Sequence, residues 1–159
     1  MALTLSRIGV SDRMRMRVVL VLYAIVALAG LVTGCFYLFR PEFMPYHAAA
    51  IATDWAALPA DYRVLYLAFL KVCGAGFISV GIAVAVLAAV PLRRNERWAK
   101  WLIPAIGMVF WLPTFYAPVM VTVKTPATAP WTGSLAVIAC ILAASALSII
   151  PGHGNDGRQ

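Results

Sequence analysis

Lys71 is the only acidic or basic side chain that lies well inside a continuous apolar run of this 159-residue chain. A charge in such a place is costly in a bilayer and points first to a functional site. An ammonium there would draw in a lipid phosphate or a substrate carboxylate, or act as a base if burial lowered its pKa. The alternative is structural: Arg63 stands about 12 Å away along a helix rising 1.5 Å per residue, and a lysine stem can carry its charge towards an interface. Glu42, Asp54 and Asp61 are the nearest candidate partners. Tyr46-His47 lies in the same polar connection. His153, the other histidine, falls beyond the last apolar run, so neither a bis-histidine haem nor a histidine metal site is expected to converge.

Cys35, Cys73 and Cys140 all lie within apolar runs and form no CxxC pair, which disfavours a thiol-redox enzyme of that type. They read as small packing residues, although Cys73 and Cys140 sit at comparable depth and could approach one another. Phe110-Trp111 and Phe115-Tyr116 stand among the prolines of one run, where a kinked, aromatic-lined helix could border a pocket for a flat apolar molecule such as a quinone or a sterol-like molecule. The alternative is that they fill the core or face lipid. There is no glycine-rich phosphate loop, HExxH, nucleophile elbow or paired intramembrane carboxylate. The membrane-embedded glutamate on which small multidrug exporters rely is also missing. The candidate ligand-binding set is therefore Lys71, His47, Trp111 and Tyr116, with no catalytic residue, cofactor or metal ligand assigned.

The elements that must position these residues are four long apolar runs, 18–39, 64–90, 98–123 and 131–150. Each has the roughly 20 residues that cross a hydrocarbon core about 30 Å thick. Hydrophobic residues make up 63% of the chain and charged ones 12%, against about 25% charged in soluble domains. The expected fold is all-α: a polytopic integral membrane protein, one four-transmembrane-helix bundle. Continuous apolar runs argue against an outer-membrane barrel, whose strands alternate.

The formal net charge of +7 is concentrated at Arg7, Arg13, Arg15 and Arg17 and at Arg93, Arg94, Arg97 and Lys100. That distribution follows the positive-inside rule and argues against nucleic acid as the partner. It places the basic leader 1–17, the second connection and the tail 151–159 in the cytoplasm, and residues 40–63 and 124–130 outside. The same arginines would attract anionic lipid headgroups. Membrane lipids are the expected partners, with a protein partner or homo-oligomer open.

Arg40-Pro41 should end the first helix. Val32-Thr33-Gly34-Cys35 looks like a lipoprotein lipobox, but the apolar residues after it favour an uncleaved span. Ile51, Trp55, Leu58 and Tyr62 recur at helical spacing, so 41–61 is expected to hold an amphipathic helix on the outer surface with Tyr46 and Trp55 at headgroup level. Pro59 and Asp61 suit the start of the second span. Pro104, Pro113 and Pro118 should bend the third and leave carbonyls for neighbouring helices to satisfy. Small residues four apart form contact ridges: Gly30 and Gly34; Gly81, Ala85 and Ala89; Ala136, Cys140, Ala144 and Ser148. Such ridges serve either packing within one bundle or a homodimer.

The four-span layout, Leu67-Ala-Phe-Leu-Lys71 leading into Gly74-Ala-Gly76, and the charged Arg93–Arg97 loop resemble the DoxX-like small bacterial four-helix membrane proteins over residues 18–150. The resemblance implies a bacterial cytoplasmic (inner) membrane. It also implies a link to quinone-dependent oxidation or thiol stress, and carries over no catalytic residue. Two expectations follow. The first is a non-enzymatic accessory or lipid-interacting bundle. The second is an oxidoreductase component or small carrier with an anion or quinone pocket near Lys71.

Overall fold

The computed structural model describes residues 2–150, with side chains from residue 12 onward. The tail 151–159, with His153, lies outside the described residues. Five α-helices form: α1 Ala2–Phe39, α2 Pro45–Ile51, α3 Ala60–Leu87, α4 Arg97–Lys124 and α5 Thr132–Ile149. A 3₁₀ turn, Trp55–Ala57, follows α2, and a π turn, Ala88–Leu92, extends α3. No strand occurs among the described residues. Asp12–Phe39, Ala60–Leu92, Arg97–Lys124 and Thr132–Ile149 are long and apolar enough to cross a membrane. The backbone of the basic leader is helical from Ala2 and continuous with the first span, since α1 runs Ala2–Phe39.

The helices run up and down, so the start of α1 and the α3–α4 connection share one arginine-rich end. α1 packs most closely on α3, then on α5, and α5 on α4; α3 and α4 meet only slightly.

Glycine explains the closeness of α1 and α3. Lipid offers no hydrophobic gain for helix association, so dispersion between closely approaching backbones must supply it. A Cβ on Gly34 would lie 2.7 Å from the Gly74 carbonyl oxygen, and one on Gly74 would lie 2.7 Å from the Leu38 nitrogen. A Cβ on Gly81 would lie 2.9 Å from the Ala27 carbonyl oxygen. The buried positions of α3, Leu70, Gly74, Phe77, Gly81 and Val84, then Ala88, alternate spacings of four and three, the repeat of a coiled-coil seam. Gly74 and Ala88 therefore join Gly81 in the contact face, while Ala89 of the expected ridge is exposed. On α5 the face is likewise Ser134, Val137, Ile141, Ala144 and Ser148; Ala136 is exposed and Cys140 half-buried.

Polar braces supplement the packing. The Ser145 hydroxyl donates to the Ile141 carbonyl at 2.6 Å and so accepts from the fully buried Tyr23 hydroxyl at 3.2 Å, tying α5 to α1. Pro118 cannot donate to the carbonyl of Thr114 four residues earlier. The Ser134 hydroxyl of α5 donates to that carbonyl at 3.3 Å. Pro91 is absorbed in the π turn, a rare helix irregularity that occurs mostly as a single turn.

The 41–61 connection departs from the expected single amphipathic helix. α2 ends at Ala52 in a left-handed conformation, φ 51°. Its anchors are the buried Phe43 and Met44, whereas Ile51 and Tyr62 are exposed. Phe43 packs edge-on against Trp55, ring centroids 5.1 Å apart.

Gly34→Ala and Gly74→Ala should each lower stability by about 1–3 kcal/mol, the usual cost of overpacking. A Cβ on Gly133 would meet nothing within 4 Å, so Gly133→Ala should be near neutral. Unfolding in mixed micelles of mild detergent and dodecyl sulfate checks this; equal effects at all three positions would contradict the seam.

Candidate ligand-binding site

α4 leaves the bundle halfway along. Its buried positions are Ala99, Ile103, Gly107 and Trp111, and none follows Trp111. The stretch beyond holds Pro113 and Pro118. A cavity of about 500 Å³ opens there, at the end of the bundle away from the arginines. All four spans contribute to its wall, and α2 contributes Tyr46 and His47. This volume is within the range of small-molecule sites, about 300–1,000 Å³.

The lining is divided by chemistry. Towards the middle of the bundle it is aromatic: Phe77 and Trp111 pack edge-on at 5.5 Å, backed by Phe110 at 4.8 Å from Phe77. Towards the far end it is lined by Tyr37, Tyr46, His47 and Cys73. Tyr66 and Phe43 support the imidazole at 5.2 and 6.2 Å.

The backbone N–H of Met44 donates to His47 Nδ1 at 3.1 Å, three residues apart at the start of α2. Accepting there assigns the neutral ring's proton to Nε2. No described residue takes that Nε2–H, which leaves it free to meet a ligand. Burial, and then the nearby Arg40 guanidinium, lower the His47 pKa from 6.5 to about 4. Burial, followed by the Tyr37 hydroxyl, raises that of Tyr46. Both groups are therefore uncharged near neutral pH. The lining includes no Asp, Glu, Lys or Arg.

Lys71 is placed differently from the sequence expectation. Its ammonium donates to the carbonyl oxygens of Leu38 and, at 3.1 Å, Arg40. These carbonyls close the C-terminal end of α1, where no intrahelical donor is available and a cation is favoured. Lys71 thus braces α3 against α1 and does not line the cavity. Glu42, Asp54 and Asp61 do not pair with it; the one ion pair among the described residues is Arg15–Asp12 at 3.3 Å. His47 and Trp111 do line the cavity, while Tyr116 is 63% exposed and does not. Cys35, Cys73 and Cys140 are free thiols; Cys73 lines the cavity and Cys140 does not.

Tyr37, Tyr46 and Cys73 were absent from the expected set. A signal existed for the first: Ala29, Thr33 and Tyr37, each lining the cavity, recur every four residues along one face of α1.

No family model, curated protein or solved structure matches the chain.

Between about pH 6.5 and 4 the unfolded chain binds a proton at His47 that the folded chain refuses, so stability is complete above about 6.5 and falls as pH drops towards 4. Protonation must occur at Nδ1 and so breaks the Met44 bond. His47→Gln, whose carbonyl oxygen can accept the same bond without titrating, should remove that part of the pH dependence. Melting curves of the two proteins in detergent check this; parallel pH profiles would contradict it.

Proposed function

We propose that the chain is a multi-pass protein of the bacterial cytoplasmic membrane that binds a neutral, flat, carbonyl-bearing ring molecule of the quinone class in the cavity. The observation that carries this reading is an aromatic-lined cavity without a formal charge, bordered by the His47 Nε2–H, a donor that no described residue takes. A ring carbonyl can accept from that N–H or from the Tyr46 hydroxyl, and the ring can lie against Phe77 and Trp111. A charged ligand would meet no counter-charge in the lining itself, and Lys71 is committed to the end of α1. The anion-pocket version is therefore disfavoured.

The role we assign is binding or carrying, as an accessory component in the lipid phase, and not bond making. His47 has no carboxylate behind it: its Nδ1 is held by a backbone N–H. The likeness to DoxX-like proteins, some linked to quinone-dependent oxidation, agrees with a quinone as ligand. The positive-inside rule orients Arg93, Arg94, Arg97 and Lys100 to the cytoplasm, with both chain ends. The cavity then opens in the outer half of the membrane. The exposed apolar faces of the spans, such as Val109 and Val123, contact lipid.

Cys73 offers the test. In a Cys35→Ala, Cys140→Ala background, maleimide labelling of Cys73 is followed with and without a short-chain, fully substituted ubiquinone, whose ring does not readily add thiols. At ten times its dissociation constant the quinone should slow labelling about ten-fold, in proportion to the unoccupied fraction. Lys71→Met should preserve that protection under conditions where the variant is folded, and a fatty-acid anion should give none. Failure of the quinone to protect, or Lys71-dependent protection by the anion, would overturn the reading.

Orientation is checked separately. Tags at either terminus should resist an impermeant reagent in intact cells, while a cysteine placed at Thr128 should react. Labelling of a terminus from outside would reverse the map.

A further inference from the structure

A second concavity lies at the opposite end of the molecule, on the outside of the α1–α3 pair. It has a volume of about 460 Å³ and is walled only by leucine and alanine until it reaches Arg93. Its origin is the glycine seam. α1 and α3 touch at Gly30 and Gly81. Towards the arginine-rich end the facing side chains shrink to the methyl groups of Ala24, Ala85 and Ala89. Leu20, Leu28 and Leu31 flank the channel that remains.

We infer that this groove holds one anionic phospholipid, with an acyl chain along the seam and the phosphate at Arg93. The groove is apolar along its length, so its occupant must be apolar over the same length. From Leu20 to Leu31 it follows roughly 16 Å of helix at 1.5 Å per residue. That is close to one leaflet, about half of a 30 Å hydrocarbon core. A chain reaching from mid-membrane to an interface fits this span.

Arg93 selects the headgroup. It is exposed and has no ion-pair partner among the described residues. A guanidinium pairs with phosphate through two parallel N–H donors. Arg94 follows it directly but does not border the groove. A diffuse attraction of anionic lipid by the whole basic end would use both arginines alike. A seated lipid would depend on Arg93.

Phosphatidylglycerol and phosphatidylcholine in equal amounts, as nanodiscs around the full-length protein, provide the test. Lipid retained after gentle release is read by native mass spectrometry. Wild type should retain one phosphatidylglycerol in preference to phosphatidylcholine. Arg93→Gln should reduce that preference by about ten-fold, on the scale of one lost charge-assisted contact, and Arg94→Gln should leave it intact. The double variant Ala24→Leu, Ala89→Leu changes two exposed alanines. It should fill the channel and abolish retention of either lipid while circular dichroism stays unchanged. Absence of selective retention by wild type, equal losses from Arg93→Gln and Arg94→Gln, or full retention by the filled variant would each overturn the inference. Quinone protection of Cys73 concerns the other end of the bundle, so the two proposals fail independently.

Discussion

The backbone contact between α1 and α3 is the constraint on which the rest of the bundle depends. Three glycines, Gly34, Gly74 and Gly81, sit where a Cβ would come within 3 Å of the other helix's backbone or of a side chain lying on it. In a solvent of hydrocarbon, helices gain little from merely excluding lipid, and an interhelical hydrogen bond averages only about 0.6 kcal/mol. Tyr23–Ser145 and Ser134–Thr114 are therefore braces that select a register. Close packing supplies most of the association. Lys71 completes the seam at its far end by satisfying the open carbonyls of α1.

A pair held this tightly cannot give the other two spans equal contact. α5 fits against both α1 and α4, and Gly107 of α4 admits the Ile141 side chain of α5. α4 meets α3 only slightly, and its buried positions stop at Trp111. Beyond Trp111, Pro113 and Pro118 each remove one intrahelical bond of α4. Ser134 satisfies the carbonyl that Pro118 leaves open. The cavity is thus a consequence of unequal packing, and α2 covers it with Tyr46 and His47. On the other flank of the same seam, alanines leave the shallow groove that ends at Arg93.

The spans were legible because apolar length is a one-dimensional signal: 98–123 became Arg97–Lys124 and 131–150 became Thr132–Ile149. Arg40-Pro41 closed α1, and Pro59 with Asp61 opened α3, through local backbone chemistry. Contact faces were half legible. A four-residue ridge includes Gly81 but drifts away from the seam, whose spacing alternates four and three. The break in α2 was hidden, because Ala52 carries no residue-type signal for a left-handed conformation. For Lys71 the sequence revealed the cost of the charge and not its partner, since two backbone carbonyls leave no trace in residue types. Of the residues picked out by type, Trp111 and His47 line the cavity, while Tyr116 is exposed and does not, because an aromatic run does not fix direction.

The α1–α3 contact is measured most directly by solid-state NMR of the protein in bilayers, carbon-13 labelled at glycine alone. Cross-peaks are expected between Gly30 and Gly81 and between Gly34 and Gly74, and they should persist when labelled chains are diluted among unlabelled ones. If these correlations are missing, or vanish on dilution and so arise between two copies, the seam does not exist within one bundle and the cavity and groove lose their physical origin.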